Sequence, residues 1–174
     1  FLRIEIPDMT QNTTLSVSIL SGKGGVGKTN IALNLGYCLY KGNHSLLLMD
    51  CDMGLANLDV LLGITPEGNL QDIMDSGADP RDVIVALDKG GFDFIPAASG
   101  VPELVDMDEE MRLTLLNRLS RVFKNYDFLF MDLGAGLSPT VLSFAAMSTM
   151  RVVVITPEPT SLTDSYALIK VLAT

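Results

Sequence analysis

Cysteine is scarce in this chain, and the two that occur do not form a metal site. Cys38 and Cys51 show no C-x-x-C pairing and no other recognisable metal-ligand spacing. A zinc module or an iron–sulfur centre built on this segment is therefore not indicated. We expect both cysteines to be small buried residues of a protein in a reducing compartment, the cytoplasm.

Basic residues are also few. The chain has 12 Lys and Arg against 21 Asp and Glu, a formal net charge of −9 at pH 7. Proteins bind nucleic acid through clustered Lys and Arg, which displace the counterions of the phosphate backbone. The balance therefore argues against a nucleic-acid partner.

Long apolar runs and a second histidine are absent as well. No uninterrupted apolar stretch approaches the roughly 18 residues of a membrane span, and the residues after Phe1 lack the pattern of a signal peptide. His44 follows a glycine and an asparagine, which favours a surface turn over a catalytic role. With 174 residues, 48% of them hydrophobic, the chain can bury one sizeable core.

Apolar runs alternate with segments of helical periodicity, which predicts an α/β fold with a doubly wound, mainly parallel sheet. We expect a single domain over residues 1–174, with 1–14 as an extension and the carboxyl-terminal part of the domain missing. In the first helix the apolar spacing is Ile31, Leu35 and Leu39. The predicted strands are 15–20, 45–49, 92–95, 128–131 and 152–155, and the predicted helices are 29–41, 70–76, 111–124, 139–147 and 161–172.

A glycine-rich loop stands between the first strand and the first helix. Residues 21–29 read SGKGGVGKT and match the pattern G-x-x-x-x-G-K-[ST] in the strand-to-helix setting that it requires. Glycines let the backbone turn tightly and point N–H groups at phosphate oxygens. Lys28 is placed to reach the β- and γ-phosphates, and the Thr29 hydroxyl to ligate Mg²⁺. The predicted phosphate-binding set is Gly22, Lys23, Gly24, Gly25, Val26, Gly27, Lys28, Thr29 and Asn30.

An additional lysine lies inside this loop. With Lys23, the run from 23 to 29 resembles the deviant Walker A motif of the MinD/ParA family of ATPases. In that family the early lysine reaches the nucleotide bound to a partner subunit. The resemblance therefore implies a P-loop NTPase fold in which nucleotide binding and homodimerisation are coupled.

Acidic residues follow the second predicted strand. Strand alternation puts Asp50 and Asp52 on one side of the sheet, where two carboxylates can orient water or serve a metal through its water shell. Residues 50–63 are similar to switch I of MinD-like ATPases, most closely those of the flagellar number regulators FlhG, also called FleN. The resemblance implies that Asp52 positions the attacking water, that Asp50 supports the metal shell, and that Asn57 and Asp59 respond to nucleotide.

Two further segments carry candidate site residues. Asp132 ends the apolar strand 128–131 and precedes Gly134 and Gly136, the form of a metal-binding Walker B strand followed by a mobile loop. Glu158 lies in a proline-rich connector after the last strand. Resemblance to the same branch of the family implies that Glu158 lies near the dimer interface and contacts the partner's ribose.

The resemblance implies a slow, Mg·ATP-dependent ATPase that switches between monomer and dimer, with Lys23, Lys28 and Asp52 as catalytic residues and Thr29, Asp50 and Asp132 serving the metal. A flagellar GTPase partner and peripheral attachment to the inner face of the membrane rest on family resemblance, because no motif for either is visible in this chain. The alternatives are a MinD-type division-site ATPase, a ParA-type partitioning ATPase, a nucleotide-gated scaffold with vestigial hydrolysis, and a biosynthetic ligase or amidase. An iron–sulfur carrier ATPase is disfavoured because its bridging cysteine pair is absent.

Overall fold

The computed structural model describes residues 14–52, 58–75, 79–97 and 108–173. These residues contain six strands, six α-helices and one 3₁₀ turn, Pro80–Val83. The strands are β1 (Leu15–Leu20), β2 (Leu46–Cys51), β3 (Val85–Asp88), β4 (Phe92–Ile95), β5 (Phe128–Leu133) and β6 (Met150–Val153). The helices are α1 (Lys28–Lys41), α2 (Leu58–Leu62), α3 (Leu70–Asp75), α4 (Glu109–Phe123), α5 (Pro139–Met147) and α6 (Pro159–Leu172).

The strands form one sheet in the order β3-β4-β2-β5-β1-β6. Every pairing is parallel except that of β3 with β4. The helices lie on both faces, so the predicted α/β fold with a doubly wound, mainly parallel sheet is confirmed. In such a sheet the carboxyl ends of the parallel strands share one edge, and ligand sites form there.

Burial explains the apolar character of the central strands. All six residues of β2 and all six of β5 are buried, because helices cover both faces of a parallel sheet. Alternate side chains of β2 and β5 pack into two separate hydrophobic cores, one on each face of the sheet. Leu47, Met49 and Leu129 join one core with α3, α4 and α5, whereas Leu46 and Phe130 join the other beneath α1.

Helix α1 packs on the sheet through small residues, and the expectation that Cys38 is buried is wrong. Ile31 and Leu35 are each 39% exposed, and the buried face carries Ala32 and Gly36 instead. A β-carbon on Gly36 would lie 3.1 Å from a methyl group of Leu46, so a larger residue there would require Leu46 to shift. Cys38 lies away from this face and is exposed, while Cys51 is buried as expected.

Several boundaries differ from the sequence predictions. The last strand covers Met150–Val153 instead of 152–155, because Met150 already pairs with Val17 in β1 and the ladder ends shortly after Val153. Helix α6 begins at Pro159, since proline lacks an N–H and suits the first helical position. The elements α2, β3 and the 3₁₀ turn were not predicted. Each has six residues or fewer, too few for a clear periodicity.

No helix in residues 14–52, 58–75, 79–97 and 108–173 is both long enough and apolar enough to cross a bilayer.

A small polar cluster joins the loops at the amino-terminal edge of the sheet. The backbone N–H and the hydroxyl of Ser45 both donate to Asp127 Oδ2, at 2.8 and 3.0 Å, and the Asp127 N–H donates to Ser45 Oγ at 2.9 Å. His44 lies in the preceding turn, half-exposed as expected, with its ring edge against Phe128. These bonds fix the position of the start of β2 relative to the start of β5. They thereby help to set the register with which the two strands reach their carboxyl ends.

We expect Asp127→Ala to lower the free energy of unfolding by about 1–2 kcal/mol, because the partly buried donors of Ser45 lose their acceptor. Chemical denaturation monitored by circular dichroism measures this value. Glu67→Ala, which removes an exposed carboxylate, is the matched control. An equal loss in both variants would show that the Ser45–Asp127 bonds contribute nothing specific.

Candidate nucleotide-binding site

The glycine-rich loop has the backbone that its sequence predicts. Gly25 and Gly27 have φ of 77° and 91°, a left-handed conformation that side chains other than glycine rarely adopt. Gly27 is the N-cap of α1 and contributes no side-chain cap. The first N–H groups of the helix therefore point into the loop, an arrangement that suits phosphate oxygens. Lys28, the first residue of α1, is 8% exposed.

Gly22 lies against the backbone of α6. A β-carbon at Gly22 would lie 2.3 Å from the carbonyl carbon of Asp164 and 2.4 Å from the nitrogen of Ser165. No side chain fits in that space, so this position requires glycine for close approach. The start of the loop is thereby seated directly on α6, a contact that no local sequence pattern predicts.

Asp50 and Asp132 lie side by side at the carboxyl ends of β2 and β5. The parallel register makes them direct Cα partners, and each is 2% exposed. Their strand neighbours Leu48 and Phe130 face the core beneath α1. By strand alternation the two carboxylates point to that same face, next to the amino end of α1.

Burial makes both carboxylates hard to ionise. It raises the pKa of Asp50 to about 7, with a further contribution from the charge of Asp132. The backbone N–H groups of Asp52 and Leu58 oppose this rise by donating to Asp50 at 3.0 and 3.5 Å. Burial also raises the pKa of Asp132, while a hydrogen bond from Thr29 and the charge of Lys28 act to lower it.

These groups fit a magnesium ion held mostly through water. Asp132 Oδ1 is buried and has no hydrogen-bond partner among the described residues, and the Thr29 hydroxyl bonds to the same carboxylate. In the described ranges no group of three His, Cys, Asp or Glu side chains forms a closed metal cage. Mg²⁺ usually keeps several waters and takes only one or two protein ligands alongside substrate phosphates, so the sparse set Thr29 and Asp132 is chemically suited to it.

The loop after β5 contacts the other two predicted segments. The Gly136 N–H donates to the Ser21 carbonyl at 3.0 Å, and Gly136 has a φ of 93°. A β-carbon on Gly134 would lie 3.5 Å from Asp52 Oδ1. The carboxylate that we predicted to orient water therefore lies beside this loop, and the loop is anchored to the glycine-rich segment.

Lys23 forms an ion pair with Glu158 of the same chain. Glu158 is the N-cap residue of α6 and makes no capping hydrogen bond with its side chain. Both side chains are well exposed, at 39% and 57%. The structure thus brings together the two residues that resemblance assigned to a dimer interface, here within one subunit.

The other predicted site residues, Asn30, Asp59 and Asn57, add little to the description of the site. Asn30 is exposed, and its carbonyl accepts a hydrogen bond from Asn34. Asp59 lies in α2 and accepts from the N–H of Val60 at 2.8 Å. Asn57 lies outside the described residues. Sequence reasoning missed Ser21, whose hydroxyl donates to the Lys23 carbonyl at 2.8 Å.

Comparison with known proteins is consistent with this site. A family model described as an AAA domain matches residues 14–173. The chain is 41% identical over 156 residues to the antiactivator FleN of Pseudomonas aeruginosa, covering 90% of this chain and 55% of that protein. It is 36% identical over 161 residues to the flagellum site-determining protein YlxH of Helicobacter pylori, covering 92% of this chain and 54% of that protein. The chain therefore spans little more than half the length of these relatives.

Among solved structures, the septum site-determining protein MinD of Pyrococcus horikoshii, complexed with Mg-ADP, superimposes with a TM-score of 0.75. That pair is 28% identical, and the match covers 92% of this chain and 65% of that one.

We expect Gly22→Ala to destabilise the nucleotide-free protein by about 2 kcal/mol or more, because the new β-carbon overlaps the α6 backbone. Gly24→Ala is the matched control, since a β-carbon there has no neighbour within 4 Å and the backbone has no positive φ. Thermal and chemical unfolding without nucleotide compare the two. Equal stability of both variants would contradict the close contact.

The raised pKa of Asp50 predicts a pH dependence in metal-free protein. Between the unfolded pKa of 3.8 and the folded value of about 7, the folded state binds more protons than the unfolded state. The stabilisation that Asp50 provides is therefore fully present below about pH 4 and is lost as the pH rises through 7. Between about pH 4.5 and 7.5, the free energy of unfolding of Asp50→Asn should increase by a few kcal/mol relative to that of wild type.

Denaturation of both proteins at these two pH values, with a chelator present, measures the change. A wild type that instead gains stability over the variant across this range would show that the fold holds Asp50 ionised.

Proposed function

The chain belongs to the MinD/ParA family of P-loop ATPases, and we propose that it is the nucleotide-binding part of a Mg·ATP-dependent dimerising switch that controls the number or placement of flagella. The observation that carries the proposal is the convergence of three segments on the amino end of α1. The glycine-rich loop, the buried pair Asp50 and Asp132, and the loop that holds Gly134 beside Asp52 all meet there.

The proposed division of labour follows the chemistry of each group. The loop N–H groups and Lys28 bind the phosphates, whose negative charge they offset. Thr29 and Asp132 hold Mg²⁺, and Asp50 hydrogen-bonds its water shell. The metal, when bound, neutralises charge on the β- and γ-phosphates. Asp52 orients the water that attacks the γ-phosphate, since it is the least buried of the three carboxylates.

ATP and Mg²⁺ are the proposed ligands because the solved MinD relative is described with Mg-ADP and because the sparse donor set suits this ion. Catalysis by such a site relies on positioning and charge stabilisation, with no covalent intermediate on the protein. A slow rate, set by assembly of the dimer, fits a regulatory role.

Dimerisation requires Lys23 to exchange partners. In the single subunit it pairs with Glu158, but exposed ion pairs contribute only about 0–1 kcal/mol. Breaking this pair is therefore inexpensive compared with a contact to the phosphates of a second subunit's nucleotide. Glu158, the N-cap residue of α6, is released at the same time, and its proposed role is to contact the partner's ribose.

The flagellar role rests on the identity of the relatives. Two flagellar proteins match at 41% and 36% identity, whereas MinD sequences match at 28–34%. A flagellar GTPase is the partner class we propose, along with cytoplasmic location and peripheral attachment to the membrane. A division-site ATPase is the second candidate, supported by the 28% sequence identity to the solved MinD structure.

We expect the intact protein to form a dimer with ATP and Mg²⁺ and to remain monomeric with ADP, as measured by light scattering. Lys23→Ala should remain monomeric because it lacks the contact to the partner's phosphates. Asp52→Ala should stay dimeric and hydrolyse ATP more slowly by about 100-fold or more. Lys89→Ala, which removes an exposed lysine beside the β3–β4 turn, should behave as wild type.

The alternatives give different outcomes. A scaffold with vestigial hydrolysis would dimerise without turnover in wild type as well as in Asp52→Ala. A ligase or amidase would bind ATP as a monomer, and all the variants would keep that mass. Either result would overturn the switch proposal.

A further inference from the structure

A polar groove lies between α4 and the 3₁₀ turn, with a volume of about 840 Å³. None of its lining residues belongs to the glycine-rich loop or to the loops after β2 and β5. Small-molecule sites have volumes of roughly 300–1,000 Å³. The groove is therefore large enough for a ligand of its own, separate from the nucleotide.

One face of α4 forms a wall of this groove. Asn117, Arg118 and Arg121 lie three, four and seven residues after Thr114, so these four side chains share a face of α4, and Asn125 follows the end of the helix. This face adjoins the buried stripe that includes Leu115 and Leu119. Its hydroxyl, amide and guanidinium groups can all donate hydrogen bonds.

Arg118 is fixed in place by the end of α3. Its Nη1 donates to the carbonyl of Ile73 and, at 3.3 Å, to that of Met74. The side chain is half-buried. Because Nη1 is anchored, the guanidinium is held rigidly. The Arg118 side chain therefore loses little conformational entropy when an anion binds to its other nitrogens.

The opposite wall carries Arg81, whose Nε and Nη2 bind Asp79 at 2.6–3.1 Å. These bonds are the main cause that lowers the pKa of Asp79 to about 2, and the charge of Arg121 contributes. Arg121 is therefore close enough to act on Asp79 electrostatically. Three arginines and one aspartate line the groove, so the lining residues carry a net positive charge within a chain of net charge −9, and Asp82 beside Arg81 lies outside the lining.

We propose that this groove binds a small dianion, a phosphate monoester or a dicarboxylate, through Arg118 and Arg121. Guanidinium forks match the oxygens of both groups in bidentate geometry. The guanidinium groups of Arg118 and Arg121 match a dianion, and the amides of Asn117 and Asn125 supply neutral donors beside them. The site is independent of the nucleotide, so the proposal holds whether or not the chain is a dimerising switch.

The test is an NMR titration of the intact protein with its nucleotide site saturated by Mg·ADP, so that added anions cannot occupy the glycine-rich loop. Inorganic phosphate and succinate are the two probes, titrated separately. We expect one of them to cause saturable shifts at the amides of Asn117, Arg121 and Asn125. Whichever probe binds more tightly identifies the phosphate or the dicarboxylate class.

Arg121→Gln should weaken that binding by about tenfold, the effect of one charge-assisted hydrogen bond. Lys124→Gln is the matched control, because it removes the same charge from the end of the same helix outside the groove. Absence of saturable shifts with both probes would overturn the proposal, as would equal weakening in the two variants. Shifts caused only by an acidic peptide such as oligoglutamate would instead assign the groove to a protein partner.

Discussion

Two buried carboxylates, placed beside each other by the register of β2 and β5, are the constraint on which the site depends. Burying like charges in one place is unfavourable unless hydrogen bonds or cations offset them. Here the compensation comes from Lys28, from Thr29 and from backbone N–H groups of the loop after β2. Each of these donors belongs to a segment that would contact a nucleotide. The charge balance of Asp50 and Asp132 therefore links the strand ends to the occupancy of the loop beside them.

The glycine-rich loop is also connected to two segments far away in the chain. Gly22 lies on the backbone of α6, and the carbonyl of Ser21 accepts from Gly136 in the loop after β5. Because both contacts involve main-chain atoms, they cannot be relieved by a side-chain rotation. A displacement of the loop on binding phosphate must be accommodated by α6, by the Gly136 segment, or by both. This gives a physical route from the nucleotide to Asp52, which lies against Gly134.

Much of this fold was predictable, and the reason lies in the length and character of particular elements. The central strands β2 and β5 are apolar runs with an aspartate as their next-to-last residue, and the segment that leads into α1 carries a specific pattern of glycine, lysine and threonine. Elements such as β3 depend on tertiary pairing, with Gly90 and Gly91 at positive φ forming the turn to β4, so their sequence alone was insufficient. The apolar spacing of Ile31, Leu35 and Leu39 predicted the helix α1 but not its packing face, because close contact with the sheet selects Ala32 and Gly36.

Site contacts at long range in the sequence were the least predictable. The pairing of Lys23 with Glu158 joins residues that only the fold brings together, yet it has a direct bearing on the proposed switch. In the proposed switch, Lys23 would lose only a weak, exposed interaction on moving to a partner's phosphates. Glu158 would lose its cation in the same step, and its carboxylate would then be able to accept hydrogen bonds from the other subunit. One exchange of partners would thus change the contacts on both sides of the interface. Dimerisation could then follow the nucleotide state at the cost of only one weak ion pair.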